Sequence, residues 1–79
     1  MDRSVKAEVR NPLLALPSSR AIMALPDDVK AALRRLLLDL RKDAQEKADK
    51  SWRSHKAPMA VYWKACAVYA GHIARLLRG

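Results

Sequence analysis

The sequence predicts an all-α protein: an antiparallel hairpin of two long helices, with a short N-terminal helix closing one end. Three observations carry this expectation. Glycine occurs only twice, phenylalanine is absent, and Ala, Leu, Lys and Arg dominate, which is a helix-forming composition. Apolar residues recur every third or fourth position from Val29 to Trp52 and again from Met59 to Leu77. No stretch alternates polar and apolar residues as a strand would. At 79 residues the chain makes a single domain, 1–79.

The elements follow in chain order. Residues 1–11 have no sustained period and read as a flexible arm. Pro12 and Pro17 bracket Leu13-Leu14-Ala15-Leu16, at most one apolar helical turn. Ser18 or Ser19 is placed to cap a short helix through Leu25, with Ile22 and Leu25 facing inward. Pro26 ends that helix, and Asp27 and Asp28 open the next at the positive end of its dipole.

The second helix is expected from about residue 28 to about 54. Val29, Leu33, Leu36, Leu40, Ala44, Ala48 and Trp52 form its apolar stripe. The opposite face sets Asp39 before Lys42, Asp43 before Lys47, Glu46 before Lys50 and Asp49 before Arg53, the favourable order for helical ion pairs. His55-Lys56-Ala57-Pro58 punctuates the chain, with Pro58 suited to the first turn of a new helix. The third helix then runs to about Arg78. A short link between long helices favours an antiparallel pair, so the expected core is Leu33, Leu36, Leu40, Trp63, Cys66 and Ile73.

Charge divides the chain. Every Asp and Glu precedes residue 50 and every aromatic follows it. Residues 1–49 hold ten basic and eight acidic groups, whereas residues 50–79 hold six basic and none acidic. They supply most of the net charge of +8. Such an uncompensated field attracts polyanions and acidic protein surfaces and repels other copies of itself. With 51% hydrophobic residues, the chain is not a disordered basic tail.

The candidate binding residues are therefore Lys50, Arg53, Lys56, Lys64, Arg75 and Arg78, joined by Arg34 and Arg41 on the long helix and by Trp52. Lys and Arg neutralise phosphates or meet carboxylates, and Trp and Arg are frequent interface anchors. The plain alternative is that these charges keep a helix face in water. Trp63 and Tyr62 read as core; Trp52, beside Arg53, His55 and Lys56, suits either surface contact or hairpin packing. Ala60, Ala67, Gly71 and Ala74 line a small-residue face, suited to close helix packing or to a homodimer.

Chemistry-bearing residues are few. The lone Cys66 lies among Trp63, Ala67, Ala70 and Ile73 and reads as a buried, unreactive thiol. His72 falls on another face, and His55 has no second ligand near it in sequence. No Ser-His-acid set, glycine-rich phosphate loop or paired carboxylate occurs. No enzymatic activity, metal or other cofactor is expected. The lone thiol, the lack of a secretory leader after Met1-Asp2-Arg3 and the lack of a long apolar run suggest a cytoplasmic protein that does not enter a membrane. Ser18–Leu25, Pro26 and the basic helix resemble a helix-turn-helix in layout, but Asp27 and Asp28 sit where bases would be read.

The run Lys56-Ala-Pro-Met-Ala-Val-Tyr-Trp-Lys-Ala-Cys-Ala-Val-Tyr-Ala-Gly-His-Ile-Ala-Arg75, with Asn11-Pro12-Leu-Leu-Ala-Leu-Pro17 upstream, resembles small proteins of bacteriophages and mobile elements. Anti-CRISPR proteins are one such class. The resemblance implies a compact inhibitor docking on a nucleic-acid-handling complex, such as a CRISPR effector. Many anti-CRISPR proteins mimic DNA with acidic surfaces, and this basic chain departs from that pattern. It would act on acidic protein surfaces or on nucleic acid instead. The resemblance carries over no functional residues. Direct DNA or RNA binding and a structural or assembly role are the alternatives.

Overall fold

The computed structural model describes residues 11–78, and every described regular element is helical. A 3₁₀ turn, Pro12–Ala15, is followed by α1 (Ser19–Met23), α2 (Asp27–Arg53) and α3 (Ala57–Leu76). The two long helices form the body of the fold. The expected arm lies outside the described residues except for Asn11, which is buried at 3% exposure rather than loose.

Asn11 earns that position through both ends of its amide. Its side-chain oxygen accepts from the Leu13 N–H at 3.2 Å and caps the 3₁₀ turn. Its amide nitrogen donates to the His72 carbonyl at 3.0 Å, fastening the N-terminal segment to α3. Ser18 makes no side-chain cap. Ser19 instead donates its hydroxyl to the Leu13 carbonyl, folding α1 back on the 3₁₀ turn. α1 stops at Met23, short of the expected Leu25, with Ile22 and Leu25 half-buried.

Pro26 fixes the entry to α2, and Asp27 and Asp28 occupy its first turn. The Lys30 ammonium donates to the Met23 carbonyl at 3.1 Å and lies 3.8 Å from Asp27, tying the end of α1 to the start of α2. At the other end the His55 N–H reaches the Trp52 carbonyl at 3.0 Å, and the Lys56 N–H reaches the Ser51 carbonyl at 2.8 Å. This paired closure of a helix end places its turning residue in the left-handed region. His55 takes that role with φ 61°.

Three residues separate α2 from α3, so the helices reverse direction. The register confirms it: Arg41 lies against Gly71, while Lys47, later in α2, lies over Trp63, earlier in α3. Continued at that register, Arg34 comes level with Arg78, and the first turns of α2 project beyond the end of α3.

The seam is made of small residues. Ala44 is fully buried on α2, facing a row of buried Ala60, Ala67, Ala70 and Ala74 on α3, and Leu76 and Leu77 complete the core. Ala60, Ala67 and Ala74 recur every seven residues, two helical turns, so one narrow line of α3 meets α2 along its length. Of the two uses expected for that small-residue face, helix packing is the one found.

The expected leucine core is not found. Leu33, Leu36 and Leu40 are exposed, Leu36 at 64%, and Trp63, Cys66 and Ile73 are half-buried. The reason lies in the spacing. Four residues turn a helix about 40° past a full revolution. The unbroken run of fours from Leu40 through Ala44 and Ala48 to Trp52 therefore rotates the stripe by roughly 120°. Its leucines fall on one flank of the hairpin, Ala44 in the seam, and Ala48 and Trp52 towards the other flank.

The ion pairs expected along α2 also differ. Among the described residues Asp43 pairs with Lys47 at 2.9 Å, while Asp39–Lys42, Glu46–Lys50 and Asp49–Arg53 do not close. No helix among the described residues is long and apolar enough to cross a membrane.

Candidate binding groove between the long helices

One flank of the seam opens into a groove of about 690 Å³. Arg34 and Arg41 stand two turns apart on α2. Lys64 and Arg75 stand three turns apart on α3, and Arg78 follows just past its end. Five cationic side chains thus line it, against one carboxylate, Asp49. Between them lie Leu38, Ala48, Val61, Ala67, Val68 and Ala74, a mainly apolar floor that Gln45 and His72 interrupt.

Each cation is held there by its helix. Arg41 lies across Gly71, with Cδ and Nε 3.5 Å from the position a Cβ would occupy. A bare backbone at that level lets the guanidinium stem cross the seam. Trp52 sits at the hairpin end of the groove and is 66% exposed. From the level of Trp52 to that of Arg34 the groove runs about 27 Å at helical rise.

The structure therefore gathers Arg34, Arg41, Lys64, Arg75, Arg78 and Trp52 of the candidate residues into one concave surface. Lys50, Arg53 and Lys56 are exposed at the hairpin end and do not line it. Lys30 belongs to the α1–α2 junction. Sequence reasoning missed the groove's apolar members and Asp49. Val61, Lys64, Val68 and Arg75 recur at three, four and seven residues, so their shared face was legible. That α2 would supply the facing wall was not, because it depends on the seam.

The opposite flank is apolar. It carries the leucine stripe of α2, with Trp63 about two turns nearer the hairpin, level with Lys47. The Lys47 ammonium lies 4.8 Å from the Trp63 ring centre while also pairing with Asp43. Tyr62 meets Trp63 edge-on at 5.0 Å, while Tyr69 reaches round α3 to meet the groove-lining His72 edge-on at 5.9 Å. Cys66 is a half-buried free thiol on this side of α3. Among the described residues no three of His, Cys, Asp and Glu stand together as metal ligands would.

No protein-family model matches the chain, and no curated protein or solved structure matches it.

Proposed function

We propose that this protein is a non-catalytic binding module whose inter-helix groove receives an acidic segment of a protein partner. One observation supports the reading above the others: five cations and a single carboxylate line a concave surface whose floor is mainly apolar. An acidic amphipathic helix or strand has both features in one ligand, carboxylates for the rims and small apolar side chains for the floor. The volume, about 690 Å³, lies within the range of ordinary ligand clefts. Such a module acts by occupying its partner. The resemblance to phage-borne inhibitors supplies a partner class, an acidic patch on a nucleic-acid-handling complex such as a CRISPR effector.

A second reading rests on Trp52. An exposed indole at the mouth of a cationic groove is also the arrangement that stacks an unpaired base. Titration with an acidic amphipathic helical peptide and with single-stranded DNA, at several salt concentrations, separates the two. Protein recognition gives tight peptide binding with a gentle loss as salt rises. Nucleic-acid recognition gives a steep, log-linear loss. In either case Lys64→Glu with Arg75→Glu abolishes binding. If both ligands bind the reversed variant as well as the native chain, the groove is not the binding site.

A further inference from the structure

The flank opposite the groove leaves large apolar side chains uncovered. Leu33, Leu36 and Leu40 project from α2, and Tyr62, at 56% exposure, projects from α3 beside Trp63. Scattered exposed leucines need no explanation, but here Leu40 is level with the Tyr69–Ile73 part of α3, where Tyr69 is also exposed. Tyr62 and Trp63 continue the apolar face about two turns nearer the hairpin. We infer that this face is the contact surface of a symmetric homodimer, its occupant being a second copy of this chain.

Three properties of the face select a second copy. The first is charge. The chain carries +8 overall, so most surfaces repel their copies. On this face Asp43 and Lys47 neutralise each other at 2.9 Å, and the exposed Asp39 and Lys50, each a turn further along the same side of α2, are of opposite sign. The cations of α3, Lys64 and Arg75, lie in the groove on the other side. Face-to-face pairing therefore brings together the least charged surfaces and turns the two cationic grooves outward, as far apart as the fold allows.

The second property is size. Two adjacent helices, each about 10 Å across and about 40 and 30 Å long, present roughly 700 Å². That is close to the area per partner of a standard stable interface. The third is need. Among the described residues the buried apolar side chains are five alanines and two leucines, which bury little apolar area. A two-fold contact covers the leucine stripe of both copies at once, because an isologous interface uses the same patch twice. The dimer expected from the small-residue face is thereby moved: that face is occupied by the hairpin seam, and the leucine flank takes its place.

Sedimentation equilibrium of the purified full chain tests this without any anionic ligand, so its outcome is independent of the groove. The native chain is expected to sediment as a dimer at micromolar concentration, to dissociate on dilution, and to melt at a temperature that rises with protein concentration. Leu36→Glu, at a residue exposed within one copy, should keep its helical circular dichroism and weaken the dimer at least about 30-fold, as loss of a central anchor does. If that variant loses its helix signal, the concentration dependence of native melting decides alone. The groove variant carrying Lys64→Glu and Arg75→Glu should retain the dimer mass. A monomer whose melting ignores concentration overturns the inference and leaves the face to a different protein. A dimer as tight in Leu36→Glu as in the native chain, or one lost only in the groove variant, overturns it too.

Discussion

His55 is the residue at which backbone geometry and side-chain identity disagree most plainly. Its φ of 61° belongs to the left-handed region, where a Cβ is crowded and glycine is favoured. The hydrogen bonds that close α2 hold it there, so the turn needs that conformation but not an imidazole. His55→Gly is expected to raise stability by about 1 kcal/mol, read as a higher urea midpoint with an unchanged slope. Asn11 is the opposite case, since both ends of its buried amide are used. Asn11→Ala should cost about 1–3 kcal/mol by removing both the cap on the 3₁₀ turn and the added bond to the His72 carbonyl. Loss of amide-exchange protection around Leu13, with α2 unaffected, would mark the effect as local.

At the scale of the element, the helix pair is governed by volume. Ala67 is buried in a line of alanines that sets how closely the axes approach. Ala67→Leu would force them apart and is expected to cost about 1–3 kcal/mol, although leucine is the more hydrophobic residue. A gain in stability would contradict the seam as described. Gly71 lies on the same helix but at the edge of the groove. A Cβ there would meet the flexible Arg41 side chain at an ordinary contact distance of 3.5 Å. Gly71→Ala should therefore gain most of the helical preference of alanine over glycine, about 1 kcal/mol. The two substitutions thus have opposite signs, and thermal melts of the pair check the placement of the seam.

The whole molecule separates two surfaces that one residue stripe had seemed to unite. Leu36 contributes nothing to the seam, so Leu36→Ala should leave the unfolding free energy of the dissociated chain within about 0.5 kcal/mol. Chemical denaturation at high dilution measures this. Charge reversal discriminates between the cation clusters in the same way. Reversing Lys64 and Arg75 acts inside the groove, whereas reversing Arg53 and Lys56 acts outside it, at the hairpin end. The expectation is a large loss of acidic-peptide binding for the first pair and a smaller, salt-sensitive loss for the second. Equal losses would mean that the general field, not the concave site, attracts the ligand.

The helices and their limits were legible in the sequence because they depend on neighbours in the chain. Pro26 with Asp27 and Asp28, and the break at His55–Pro58, mark boundaries through local backbone chemistry. The clustering of Lys64, Arg75 and Arg78 on one side of α3 followed from helical period alone. Which faces would meet was a different matter. Period gave α2 a stripe from Val29 to Trp52 but not its drift, and hydrophobicity pointed to leucine where close approach selected alanine. Packing is decided between two surfaces, by the fit of both, and neither helix carries that information alone. The groove, the exposed leucines and the placement of Trp52 all follow from that one choice of seam.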